Sequence, residues 1–180
     1  MKDALAIHRW LLAHQVHHEI VRLPRALTSA AELPEVLSAE PADCLEVSVF
    51  EVDTRVGLEP VAVLHSAGSP PGPALVAAVL SARRVRPASA FLVNAATEYA
   101  AGLVCPLLLP EGLTLLIDEG IYDPKHPFRV VHTPAGERRT ALSMRACDLL
   151  ALVPGKRLDL APRPPAHLAN VPRQAHPLPQ

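Results

Sequence analysis

Apolar positions along this chain recur at two spacings, one helical and one strand-like, and the two alternate from one end to the other. Near the start, Leu5, Ile7, Trp10, Leu11 and Leu12 recur at helical spacing, with Asp3 placed to cap the first turn. Residues 19–23 then alternate polar and apolar as a strand does, and Pro24 closes the run. Ser29 opens a short helix through Leu33, with Glu32 at the capping-box position. Residues 44–52 alternate strictly: Cys44, Glu46, Ser48 and Phe50 take one face, and Leu45, Val47, Val49 and Val52 are assigned mostly to the other. Val61 to Leu64 makes a second apolar strand, and the 53–60 connection predicts a hairpin between the two.

The second half continues in the same manner. Residues 68–73 form a loop by composition, and residues 74–80 read as a helix. Arg83, Arg84 and Arg86 make the densest basic cluster, just before a short strand. Ser89 caps a helix over 90–96, and a loop holding Gly102 and Pro106 follows it. Strands are predicted over 113–117, over 128–131 leading into His132, and over 140–144, with a closing helix over 146–152 ended by Pro154 and Gly155. From Pro162 onward six prolines fall in nineteen residues without apolar periodicity, so 158–180 is expected to be a tail outside the folded domain of 1–157. The expected fold class is α+β (mixed α/β), a single domain with one curved mixed sheet flanked by short helices.

Composition narrows the choice of function. The chain has 180 residues, enough for one sizeable core, and 49% are apolar with only 3% aromatic, so Val, Leu and Ala must fill it. A net charge of −1 argues against a protein that coats nucleic acid by bulk charge. The three cysteines, Cys44, Cys105 and Cys147, are widely spaced, which suits a reducing compartment better than a disulfide scaffold. No apolar stretch reaches transmembrane length, and His8 and Arg9 interrupt any signal-peptide pattern, so a soluble cytoplasmic protein is expected. His14 and His18 could share a side as a metal pair does, but residues 18–22 read His-Glu-x-x-Arg rather than the zinc-protease pattern, and no metal or cofactor is expected.

The candidate chemistry centres on Gly-x-x-x-Pro, residues 102–106. Glycine lets a backbone approach a ligand or take positive φ, and successive amides in such a loop can bind a phosphate or a developing oxyanion. Glu46 either lines a pocket and binds an amino group or is a solvated strand residue. His132 either meets substrate or ends a strand at the surface. Cys105 with His65 or His132 as base spells a nucleophilic pair, yet a cysteine before a proline in apolar surroundings reads better as a small buried hydrophobe. Asp118 and Glu119 read as the end of a strand at a turn.

The order of these parts resembles the YbaK / prolyl-tRNA synthetase editing-domain family, the free-standing aminoacyl-tRNA deacylases, from about Ile7 to Leu152. Residues 89–99 look like that family's Ser-capped helix, Gly102 and Pro106 retain its Gly-x-x-x-Pro, and Val104-Cys105-Pro106 is similar to its Val-Ser-Pro. Ile117-Asp118-Glu119 resembles its Ile-Asp-Glu strand end, and residues 140–143 and 148–150 look like its closing strand and helix. His132 falls where the alanine-editing branch carries a histidine. The resemblance implies hydrolysis of the ester joining a wrong amino acid to the 3′ end of a tRNA, without metal or protein nucleophile. Gly102, Leu103, Val104 and Pro106 would form the carbonyl-holding loop, and water would attack with help from the tRNA's own terminal hydroxyl. Glu46, Cys105, His132 and Ser89 would line the substrate site, and Arg83, Arg84 and Arg86 would touch the tRNA. Glu46 stands where the family usually has a lysine, Leu103 where a second glycine is common, and Glu98 where a glycine precedes the aligned tyrosine. Two functions follow: a deacylase acting in trans, or a catalytically silent module binding an aminoacyl-adenosine-like ligand or a protein.

Overall fold

In a computed structural model, which describes residues 1–160, the first helix is α1 (Ala4–Ala13). Asp3 caps it by accepting the Ala6 amide at 2.8 Å. Ile7 and Leu11, one turn apart, are fully buried while Leu5 and Leu12 stay exposed, so the buried stripe is narrower than the apolar pattern. The helix ends before His14, and His18 opens strand β1 (His18–Arg22), where its ring meets His8 at 2.8 Å. Ser29 and Glu32 complete both halves of a capping box around a 3-10 turn, Ala30–Glu32, that runs into α2 (Leu33–Leu37). Pro34 falls in the first turn of α2, where its missing N–H costs nothing.

The predicted hairpin is present as β2 (Leu45–Asp53) and β3 (Leu58–Ser66), in antiparallel register from Leu45↔Ser66 to Asp53↔Leu58. Its second strand starts three residues before Val61, because exposed Leu58 and Glu59 and the following Pro60 carry no apolar strand signal. Val52 shares a buried cluster with Phe50 rather than the face of Val47 and Val49, as strict alternation requires. Then come α3 (Pro73–Leu80), β4 (Arg84–Pro87), α4 (Ala90–Thr97), β5 (Thr114–Asp118), β6 (Val130–Pro134), β7 (Thr140–Arg145), α5 (Ala146–Leu152) and β8 (Lys156–Leu158). His132 therefore lies inside β6 rather than after its end. Arg84 and Arg86 are within β4 rather than before it. Asp118 ends β5 and caps the next turn by accepting the Gly120 amide, as a strand end at a turn should.

The strands make two sheets rather than one curved sheet. Five strands run in the order β4-β2-β3-β5-β8, with β5 parallel to β3 and β8 parallel to β5. The other three run antiparallel in the order β1-β7-β6. Among the described residues, one parallel bridge, Cys44↔His132, joins the two. Of the tail expected over 158–180, Leu158 closes β8 and Leu160 is buried beneath α3, while 161–180 lies outside the described residues.

The main core combines Ile7 and Leu11 of α1, Leu45, Val47 and Val49 of β2, Ile117 of β5 and Leu142 of β7, so α1 and both sheets share one apolar interior. Phe50, Val52, Val61 and Val63 fill a second cluster on the opposite face of the five-stranded sheet, under Val76 of α3. Tyr99 is the largest fully buried side chain, and its hydroxyl donates to the Leu107 carbonyl at 2.8 Å. Replacing Tyr99 by Phe keeps the ring but strands that carbonyl in the core. Tyr99→Phe is expected to cost about 1–3 kcal/mol, read as a lower midpoint in thermal or urea unfolding.

Candidate active site

The site begins where β4 stops. β4 pairs with β2 only from Asp53 to Phe50, and the last rung beyond it is the Ala88 amide donating to the Val49 carbonyl at 2.9 Å. Pro87 brings no N–H to extend the ladder, and Ser89 turns the chain into α4 by accepting the Leu92 amide at 3.3 Å. Nearer its N-terminus, β2 therefore has an open edge. Backbone groups alternate sides along a strand, so the N–H and C=O of Val47 point the way those of Val49 do, with no strand among the described residues to receive them.

A cleft of about 460 Å3 lies along this edge. Residues 46–50 of β2 form its floor, Pro70 to Pro73 one wall, and Ala88, Ala90, Val93, Ala101 and Gly102 the other. Small and apolar side chains make up those walls. The polar side chains are Glu46 and Ser48, and Ser48 Oγ lies 2.8 Å from Nε2 of buried His65.

The segment carrying Gly102 is held from behind. Asn94 accepts the Ala101 amide at 2.8 Å, the Gly102 carbonyl accepts the Ala30 amide at 2.8 Å, and the Leu103 amide donates to the Ala100 carbonyl at 2.9 Å. Gly102 has φ +82°, and a methyl there would lie 2.6 Å from the Thr28 carbonyl oxygen, so both backbone conformation and close approach demand glycine. Among the described residues, the Gly102 amide donates to no protein acceptor.

Only Gly102 of the expected carbonyl-holding loop borders the cleft. Leu103 has its amide engaged in the turn and its side chain in the cluster around Leu27 and Leu33. Val104 and Pro106 are buried, and Pro106 has no N–H to offer. Cys105 is fully buried in the main core, and burial pushes its thiol up to about 12. Glu46 and Gly102 line one cleft, and Ser89 sits at the turn between lining residues Ala88 and Ala90.

The remaining candidates lie around this centre. His132 does not line the cleft; its Nδ1 is 2.7 Å from Ser143 Oγ across the β6–β7 pair, and burial moves its pKa down. The Cys44 bridge nonetheless ties it to the end of β2, two residues from Glu46. Arg83, Arg84 and Arg86 are exposed, and Arg86 Nε donates to Glu51 at 2.6 Å. Arg84 and Arg86 flank a second groove with Glu51, Asp53 and Gly57. Among the described residues, no three His, Cys, Asp or Glu side chains are grouped to hold a metal ion, and no helix is long and apolar enough to cross a membrane. Sequence reasoning missed the Ser48–His65 contact and the proline wall. The available signal was the hairpin itself, which brings the face of Glu46 and Ser48 against His65 once its register is known.

Comparison with known proteins bears on this geometry. Residues 24–152 match the model of the aminoacyl-tRNA editing domain. The fold is similar to that of a candidate trans-editing enzyme for prolyl tRNA synthetase, with TM-score 0.72 and 22% identity over 89% of this chain and 97% of that one. It is also similar to the hypothetical protein APE2540, with TM-score 0.69 and 17% identity over 86% and 97% of the two chains. A scaffold protein used for epitope backbone grafting matches with TM-score 0.71 and 22% identity, covering 89% of this chain and 97% of that one. No curated protein matches the chain significantly. The match to the family model spans well over half of the sequence, and with the Gly102 cleft in the matched region the chain belongs to the aminoacyl-tRNA editing-domain family.

Proposed function

We propose that this protein is a trans-acting aminoacyl-tRNA deacylase that hydrolyses the ester of a mischarged tRNA carrying a small amino acid. The observation that carries the reading is the union of Gly102 and Glu46 on one cleft within the family-matched region. The Gly102 amide serves as donor to the ester carbonyl, where negative charge develops, and water attacks with help from the tRNA's terminal hydroxyl. An amide in that position holds the developing charge without a metal or a cofactor. Short side chains on the walls, Ala90, Val93 and Ala101, favour a small aminoacyl group, although one methylene discriminates by only about 1–3 kcal/mol.

Glu46 suits this substrate in a different way from a lysine. An aminoacyl ester carries a free α-ammonium group, and a carboxylate on the cleft floor attracts that cation where a lysine would repel it. The exposed Arg83 and Arg84, with Arg86 at the Pro87 end, supply the contact to acceptor-end phosphates, which makes binding fall with salt. The working compartment is the cytoplasm, where charged tRNA is found.

The second reading, a silent module that binds an aminoacyl-adenosine-like ligand or a protein, rests on the same Glu46. Assays of alanyl-, seryl- and cysteinyl-tRNA of non-cognate identity separate the two. Turnover by the wild type is expected for at least one of them, and binding of a non-hydrolysable aminoacyl-adenosine without any turnover would establish the silent module. Glu46→Gln is expected to raise KM about tenfold through loss of the ammonium contact, worth about 1.4 kcal/mol. Glu46→Lys should raise it further; a gain of activity in Glu46→Lys would show instead that Glu46 silences the site.

Cys105 does not serve as nucleophile in this scheme, because a thiol held near 12 in the core supplies almost no thiolate at neutral pH. Cys105→Ala is expected to keep kcat within about threefold of wild type. The native thiol should resist iodoacetamide until the protein is unfolded, as peptide mass analysis would read.

A further inference from the structure

Ser48 and His65 face each other across the β2–β3 hairpin, and the hydrogen bonds around them fix where every proton sits. The register pairs Glu46 with His65 and Ser48 with Val63, so Ser48 and His65 are diagonal neighbours on one face. His65 Nδ1 is 2.9 Å from the Ser66 carbonyl oxygen. A carbonyl only accepts, so in the neutral imidazole Nδ1 carries the ring proton and Nε2 presents a lone pair. Ser48 Oγ, 2.8 Å from Nε2, must then donate its proton to that nitrogen. The serine oxygen keeps its own lone pairs for a donor in the cleft. The imidazole is fully buried, whereas Ser48 is partly exposed and lines the cleft beside Glu46 and opposite Gly102.

This is a hydroxyl backed by a base whose orientation is set by a third group, the arrangement that activates an oxygen at neutral pH. The Ser66 carbonyl takes the orienting place that a carboxylate has elsewhere. We propose that Ser48 and His65 form a proton relay that deprotonates the water attacking the ester, an inference that rests on the deacylase reading of the same cleft. As the water oxygen bonds to the carbonyl carbon, one water proton passes to Ser48 Oγ and the Ser48 proton passes to His65 Nε2. Collapse then breaks the bond between carbonyl carbon and ribose oxygen. The ribose oxygen recovers the proton through Ser48, leaving His65 neutral, the amino acid free and the terminal hydroxyl of the tRNA restored. Ser48 touches the reacting water, and His65 acts through Ser48.

The relay needs the Nε2 lone pair of His65, so turnover falls in acid; Glu46 is the register partner of His65 on β2.

The test compares wild type, Ser48→Ala, Ser48→Thr and His65→Gln on alanyl-tRNA and on alanine p-nitrophenyl ester, with thermal unfolding as the check on folding. Ser48→Ala is expected to lower kcat by about 10²–10⁴ with KM unchanged, and Ser48→Thr to restore most of the loss. The acid limb of the pH–rate profile should vanish in His65→Gln. Should His65→Gln fail to fold, the Ser48 pair decides alone. Full activity in Ser48→Ala, an acid limb that survives in folded His65→Gln, or an acyl group found on Ser48 by mass analysis would each overturn the relay. Hydrolysis of the activated ester with this Ser48 dependence, but of no aminoacyl-tRNA, would keep the relay and overturn the tRNA reading. Hydrolysis of neither would overturn both.

Discussion

The bond from the Ala88 amide to the Val49 carbonyl is the last rung between β2 and the segment of β4, and the cleft lies where no further rung follows it among the described residues. Proline at 87 ends the ladder for want of a donor, and serine at 89 redirects the chain into α4 by capping it. An open strand edge inside a folded domain is costly to leave dry, since its N–H and C=O groups lose water without gaining partners. In this chain the edge instead floors a solvent-reachable groove, and the groups it leaves unpaired are available to a ligand.

Behind the cleft, the 98–108 segment is clamped at several points, and the clamps explain why so little of the glycine loop is free. Lys2 pairs with Glu98 at 2.9 Å and also donates to the Leu108 carbonyl, so the N-terminus ties both ends of the segment together. That contact holds the Glu98 carboxyl below its ordinary range and offsets an acidic group at the C-terminal end of α4, where the helix dipole disfavours one. Tyr99 fills the space beneath and bonds Leu107, and at Gly136, with φ +82°, a methyl would come 2.6 Å from the Lys2 carbonyl oxygen and 3.1 Å from the tyrosine ring. Residues 103–107 are consequently core, and Gly102 is the point where the segment surfaces.

Polar groups in the cleft have unlike surroundings. Glu46 lies on the floor beside Ser48, whose hydroxyl is turned toward a dry imidazole, and the basic residues are gathered at the β4 edge.

Local sequence determined which residues form the elements. The Asp3 cap, the Ser29–Glu32 box, the alternation in β2 and the Ser89 cap are all written within a few residues of where they act, so periodicity and capping chemistry reveal them. The shared placement of Glu46 and Gly102 was legible through resemblance, because two short motifs in the right order stand for a fold already known. Tertiary structure decided the rest. Two sheets rather than one, His132 inside β6, and Leu103, Val104, Cys105 and Pro106 turned into the core all depend on which strand pairs with which, and no local pattern encodes that pairing. The Ser48–His65 contact is the clearest instance: seventeen positions separate the residues, and only the hairpin register sets them 2.8 Å apart. Propensity and capping are properties of neighbours along the chain, whereas a hydrogen bond between side chains on paired strands is a property of register, which the packing of the whole sheet selects.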